Sequence, residues 1–299
     1  MNKILIICGP TATGKTSFGL EVAKQFSGEI ISADSRQVHV GNNIVTGKDL
    51  PPTAKYQISN IKWRDRYLKY YEVDGTKIWL YDVVSPGESF NVSFWKECVD
   101  IVISDVESRE LLPIVVGGTG LFIKSLTHDL SLIDIPFNPH LRNELAHQSP
   151  QALFDYLNSI APDKATGLNK SDRLNPRRLL RAIEISSSSP SHKLGEGGKG
   201  GEVLMSSAAD ILTLGLTTPR PQLYRRINQR VLDRIAAGAA AEDQALASNP
   251  VAWQHSEHGL ARRQLTWFKK QPNINWFDIT TSNWQTPAFD LIGNWYNNL

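Results

Sequence analysis

The sequence predicts an α/β protein built on a parallel sheet, and three observations carry that prediction. The runs ILIIC and LLPIVV are apolar throughout, the texture of strands buried on both faces. Each ends in a glycine-containing turn, and a stretch with helical apolar spacing follows it. Strand, turn and helix alternate in that order, which places ligands at the carboxyl ends of the strands.

Taken in order, KILIIC reads as a buried strand, and Phe18, Leu20, Val22, Ala23 and Phe26 give the next stretch a helical face. GEIISADS is a second short strand that ends in polar residues. KYQISNIKWRDRYLKYYEVDGTKIWLYDVV is rich in aromatic and β-branched residues around Asp74-Gly75, which predicts a β-hairpin or an excursion at the sheet edge. LLPIVVGG is a third strand, with LFIKSL as its helix. From about Pro136 the texture becomes helical, in PQALFDYLNSIA and in NPRRLLRAIEI, where Asn175 caps and Pro176 takes the first helical position. Residues 186–202, SSSSPSHKLGEGGKGGE, predict a mobile loop that closes the helical unit. ILTLGL returns as a strand. In PQLYRRINQRVLDRIAAG, Leu223, Ile227, Val231 and Ile235 form an apolar stripe that Gly238 terminates. The apolar residues of QLTWF read as core.

Composition narrows the class. The 299 residues are 41% hydrophobic and 21% charged, ordinary for a globular chain. Cys8 and Cys98 are too few and too far apart for a disulfide framework or a zinc knuckle, which points to a reducing compartment. No stretch approaches a membrane span, so the expectation is a cytoplasmic protein with no membrane partner. A net charge of +2 says nothing of nucleic acid, so any basic surface must come from local clustering.

GPTATGKT, comprising Gly9, Pro10, Thr11, Ala12, Thr13, Gly14, Lys15 and Thr16, fits G-x-x-x-x-G-K-[ST] between a buried strand and a helix. Such a loop turns backbone amides onto phosphate oxygens, Lys15 adds a point charge, and the Thr16 hydroxyl is a ligand for Mg²⁺. Whose phosphates it grips is open at this point. Asp34 is well placed at the end of the second strand, as a functional carboxylate or as a turn aspartate. Thr119 follows the third strand, as a functional hydroxyl or as a helix cap.

GPTATGKT, ISADSRQV, VVGGTGLFIKSL, NPRRLLRAIEI, RPQLYRRINQRV and RRQLTWFKK, in that order and over most of the chain, resemble the tRNA dimethylallyltransferases. Members transfer the isopentenyl group of dimethylallyl diphosphate to N6 of the adenine beside the anticodon. The resemblance implies a P-loop NTPase-like core in two parts, residues 1–134 and 203–299, with an inserted helical tRNA-binding domain at 135–202. The loop would hold the donor's diphosphate with Mg²⁺, and Arg220 or one of Arg226, Arg230 and Arg234 would join it. Asp34 would take the N6 proton and Thr119 would position amine or diphosphate. RNA contacts carry over to Asp34, Ser35, Arg36 and Gln37, to Arg142, and to Arg177, Arg178, Leu179, Leu180 and Arg181. The implied partners are the tRNA anticodon stem-loop and dimethylallyl diphosphate, with the enzyme a monomer.

The chain also departs from that family. Only AEDQALASNPVAWQHSEHGLA stands between the RRINQRV helix and the RQLTWF segment, without the usual Gly-Tyr motif, and the segment before Asp82 is longer than usual and lacks the customary His pair. Two other activities share the loop. A prenyltransferase acting on free adenine nucleotides would have little use for the Arg177–Arg181 cluster, and a small-molecule kinase would use Asp34 or Asp82. A noncatalytic RNA-binding relative is a third reading.

Overall fold

The computed structural model describes residues 3–128, 130, 135, 137–188 and 209–298. By contacts the chain divides into two compact units, residues 1–128 with 204–299, and residues 129–203.

The first unit opens with β1 (Lys3–Cys8), α1 (Lys15–Gln25), β2 (Gly28–Ala33) and the single turn α2 (Asn43–Thr46). It continues with β3 (Lys55–Trp63), β4 (Arg66–Val73), β5 (Thr76–Trp79), α3 (Val92–Ser108), β6 (Leu112–Gly117) and α4 (Gly120–Thr127). The second unit holds α5 (Pro139–Leu145), α6 (Pro150–Ile160), α7 (Pro162–Thr166), α8 (Lys170–Arg173) and α9 (Pro176–Ser187). Back in the first unit follow β7 (Asp210–Thr217), α10 (Arg220–Ala236), a 3₁₀ turn at 239–241, α11 (Gln244–Ala247), α12 (Pro250–Phe268), β8 (Asn275–Asp278) and α13 (Gln285–Asn297).

One sheet of eight strands orders them β3-β4-β5-β2-β6-β1-β7-β8. From β5 to β8 every pairing is parallel, whereas β4 pairs antiparallel with both β3 and β5. Isoleucine, leucine and valine fill both faces of β1, β2 and β6, and each face packs its own apolar cluster. On one side Trp95, Cys98, Val99, Val102 and Val106 of α3 cover the sheet. On the other, Phe18, Val22 and Ala23 of α1 do so with Ala288 and Ile292 of α13. The expected hairpin is present. Val73 faces Thr76, and Asp74 and Gly75 both take positive φ (49° and 82°), the conformation a two-residue hairpin turn requires.

Several elements depart from the sequence reading, with α12 and α13 also lying where it placed no helix. No element was read at α3, although its buried positions recur at helical spacing and Asn91 caps it by accepting from the Phe94 amide. Nor was β8, which is too short and mixed to show a period. The loop predicted for 186–202 begins later, because α9 runs on through Ser187 with the Ser186 hydroxyl donating back to the Ala182 carbonyl; residues 189–202 lie outside the described residues.

In the second unit, α6 and α9 enclose a small core of Leu153, Leu157, Ala165, Leu179, Ala182 and Ile183. Among the described residues, no helix is long and apolar enough to cross a membrane.

Candidate active site

Strand register brings three distant segments together. Ala33, Gly117 and Cys8 stand side by side in β2, β6 and β1, so Asp34, Gly118 and Gly9 emerge next to one another at the carboxyl edge of the sheet. Gly9 lies at φ 135° against β7, where a Cβ would come within 2.3 Å of the Leu216 carbonyl oxygen. Only glycine lets the loop leave the strand there.

The loop is held from behind by two helices. Gln264 of α12 accepts the Thr11 amide at 2.8 Å, Arg230 of α10 donates to the Thr11 hydroxyl at 2.8 Å, and Arg226 donates to the Ala12 carbonyl at 2.7 Å. The Thr13 hydroxyl and the Lys15 ammonium both donate to the Pro10 carbonyl, at 2.9 and 2.6 Å. Pro10 and Gly14 complete the turn, and Gly14 caps α1 with φ 81°. Lys15 is pushed down to about 8, by burial first and the Arg230 charge second, with the Asp34 carboxylate opposing.

Lys15, Thr16, Asp34, Arg36, Tyr81 and Arg230 line a single cleft. Asp34 is indeed a turn aspartate, accepting the Arg36 amide at 3.0 Å, but its carboxylate also lines the cleft. Thr119 is not a side-chain cap for α4: its hydroxyl instead accepts the Ser35 amide at 2.9 Å and meets the Ser35 hydroxyl at 3.3 Å. Arg36 is fixed by the buried Glu257 of α12 at 2.6 Å. Gln37 is buried and spans from the Ser32 hydroxyl to the Gly47 carbonyl, at 2.9 and 2.7 Å. Burial raises the Tyr81 phenol, as do the Asp49 and Asp34 charges, while Arg230 and the facing Thr16 oppose the shift.

Among the arginines of α10, Arg226 and Arg230 reach the loop, while Arg220 stands exposed in the first turn. Arg230 also pairs with Asp49, and Arg234 is buried with two of its nitrogens lacking hydrogen-bond partners, its nearest carboxylate oxygen, on Asp49, lying at 3.8 Å. Burial and the neighbouring Arg230 draw Arg234 down to about 10. Asp82 is buried and committed to Lys48 and to the Tyr71 hydroxyl. It is therefore not free to serve as the base or metal residue that a kinase reading asks of it. Sequence reasoning missed Gln264, Glu257 and Tyr81; the first lies in the RRQLTWFKK motif, and the other two carried no signal of their own.

The α5–α9 unit treats its expected RNA residues unequally. Arg142 donates twice to the buried Glu184, at 2.6 and 2.9 Å, and Arg181 donates to the same carboxylate at 3.2 Å and to the Ile135 carbonyl at 2.9 Å. Burial would raise Glu184, but these arginines and the Asn138 amide hold it below the usual carboxylate range. Leu179 is fully buried in the small core and Leu180 packs against it, so the Leu179 side chain presents no RNA surface: the apolar stripe of the helix turns it inward. Arg177 and Arg178 are exposed at the start of α9, Arg178 paired with Asp172.

The fold and the cleft define the class first: an α/β protein with a phosphate-loop motif, whose residues 2–69 match a family model described as isopentenyl transferase. Residues 68–259 match a second model, described as IPP transferase. The chain is 32% identical to tRNA dimethylallyltransferase 2 of Trichlorobacter lovleyi, over 92% of each chain. It is 33% identical to tRNA dimethylallyltransferase of Pediococcus pentosaceus, over 99% of this chain and 97% of that one. A solved tRNA isopentenylpyrophosphate transferase of Bacillus halodurans superposes with a TM-score of 0.60 at 27% identity, over 99% and 97% of the two chains. The chain belongs to the IPP transferase family.

Proposed function

We propose that this protein transfers the dimethylallyl group of dimethylallyl diphosphate to N6 of the adenine 3′ of the anticodon in tRNA, releasing diphosphate. The single observation that carries this reading is the cleft that Lys15, Asp34 and Arg230 line together, which sets a phosphate-loop lysine beside a carboxylate. Its frame would be a P-loop NTPase-like core, residues 1–134 and 203–299, with the helical stretch 135–202 as the tRNA-binding insertion. Identity to relatives with that activity supports the reading.

In the reaction the N6 lone pair attacks the allylic C1 of the donor as the C1–O bond breaks, and the electron pair leaves with the diphosphate. Amides of residues 12–16, the Lys15 ammonium and Arg230 stabilise the charge that develops on the leaving oxygen. Asp34 accepts the N6 proton, and the Ser35–Thr119 pair positions the amine. The Thr16 hydroxyl, an oxygen donor at the mouth of the phosphate loop, would hold Mg²⁺. When bound, Mg²⁺ would supply further charge neutralisation to the diphosphate.

The deciding experiment incubates the protein with dimethylallyl diphosphate and Mg²⁺, with either unmodified tRNA or AMP, and analyses the nucleosides by mass. Isopentenyladenosine in the tRNA arm alone is the expected result. Prenylation of AMP alone, or turnover of ATP in place of the donor, would overturn the reading.

A further inference from the structure

The β3–β4 hairpin has no part in the chemistry described above, yet strand register carries it to the edge of the sheet at which Asp34 emerges. Tyr70 pairs with Trp79, and Trp79 pairs with Ile31 of β2. The edge row at Ala33 is two residues beyond Ile31. Along β4, Tyr67 is three residues beyond Tyr70 in the same direction, about 10 Å further at strand spacing. The hairpin thus overhangs the carboxyl edge of the sheet, level with Asp34.

Its two faces differ in chemistry. Ile61, Trp63 and Leu68 turn into the core against α3. On the opposite face, Tyr56 sits across from Tyr71, Ile58 from Lys69, and Lys62 from Tyr67. Tyr56, Ile58 and Tyr67 are 45%, 66% and 53% exposed, a large uncovered area for a strand pair. Lys69 stands over the Tyr56 ring, 5.6 Å from its centre. Other basic residues of the hairpin are neutralised, Lys55 by Glu72, Arg64 by Glu97 and Arg66 by Glu88. Among the described residues, no carboxylate lies within ion-pair distance of Lys62 or Lys69.

Aromatic rings continue this face into the cleft. Tyr56 and Tyr71 lie 5.2 Å apart between centres, Tyr71 and Tyr81 lie 6.1 Å apart, and Tyr81 lines the cleft itself. Exposed rings interleaved with uncompensated cations make a stacking platform for unpaired bases with charge for the backbone.

We propose that this hairpin face is an additional RNA-binding surface, taking an unpaired stretch of the tRNA next to the target adenine, with bases against Tyr67 and Tyr56 and phosphates on Lys62 and Lys69. The inference rests on the tRNA reading above and adds a surface to it.

The test compares wild-type protein with Lys62→Gln/Lys69→Gln and with Tyr67→Ala, measuring tRNA affinity across a salt series, pyrophosphate affinity and single-turnover transfer. Lys62 and Tyr67 are exposed and Lys69 is half-buried, and unchanged pyrophosphate binding certifies a folded core. The double lysine variant is expected to lower the slope of log affinity against log salt by about 0.7 per lysine. Tyr67→Ala is expected to weaken tRNA binding about 5- to 100-fold without altering that slope. If wild-type protein modifies tRNA and both variants match it in affinity and slope, the hairpin inference alone is wrong. A change in oligomeric state with tRNA affinity intact would likewise overturn it, making the face a contact between copies. Failure of wild-type protein to bind tRNA at all would remove the functional reading and this inference together.

Discussion

Lys15 is the residue at which charge, burial and ligand are most tightly linked. Its ammonium is pushed down to about 8 by burial and by Arg230. A lysine in the unfolded chain titrates near 10.4, so between the two values the unfolded chain binds the extra proton. The sign follows: Lys15 costs stability in full below pH 8, and the cost is relieved as pH rises from 8 towards 10.4. A bound diphosphate reverses the shift, so pyrophosphate binding near pH 9 is expected to take up a proton, read by calorimetry in two buffers of different ionisation enthalpy. Lys15→Ala should abolish that uptake and weaken pyrophosphate by about 10- to 150-fold, the worth of a charge-assisted contact of roughly 1.5–3 kcal/mol. Asp34 is tested differently, because a base and a metal organiser fail in different ways. Asp34→Ala should bind dimethylallyl diphosphate with Mg²⁺ as wild type does and lose single-turnover transfer by on the order of 10²- to 10⁴-fold. Donor affinity that falls in step with the rate would make Asp34 a metal organiser.

At the scale of elements, α9 shows how a cationic pattern divides between structure and surface. Its inner face buries Leu179 and Ile183, and Glu184 lies beside them at 3% exposure, a charge that must be compensated. Arg142 from α5 and Arg181 supply that compensation. Removing Arg142 would leave the carboxylate with fewer donors than it needs. Arg142→Ala is therefore expected to destabilise the protein by roughly 1.5–3 kcal/mol in urea unfolding at pH 7, the value of hydrogen bonds to a charged group. Because Glu184 is held below its unfolded value, the stabilisation is present above about pH 4.3 and fades as pH falls through the lower folded value. The wild-type and mutant stabilities should converge in acid. A constant difference down to pH 3 would show that Arg142 acts through packing alone.

Over the whole molecule, the cleft draws its lining from α1, β2, β6, α10 and α12, the first and last more than two hundred residues apart in sequence. A ligand that binds only this assembled state stabilises everything that builds it. Pyrophosphate at 100 times its dissociation constant should add about 2.7 kcal/mol, seen as a raised thermal midpoint, and at the same concentration Lys15→Ala should retain only about 0.3–1.4 kcal/mol of it. A midpoint indifferent to pyrophosphate in wild-type protein would mean that the loop does not grip phosphate. By itself the sequence determined the parts that depend on local pattern: the buried strands from continuous apolar runs, the loop from its glycines and lysine, the hairpin turn from Asp74-Gly75, and helix starts such as Asn175-Pro176. These are set by backbone conformation and periodicity within a few residues. Tertiary structure alone decided which charges are free. Arg177 and Arg142 look alike in sequence, yet one is exposed and the other is bound to Glu184 forty-two residues away. Gln264 and Glu257 became parts of the site only because α12 packs behind the loop and the Asp34–Gln37 turn. The physical reason is that a charge is assigned by the partner it meets across space, and the chain brings such partners together only once its strands are in register.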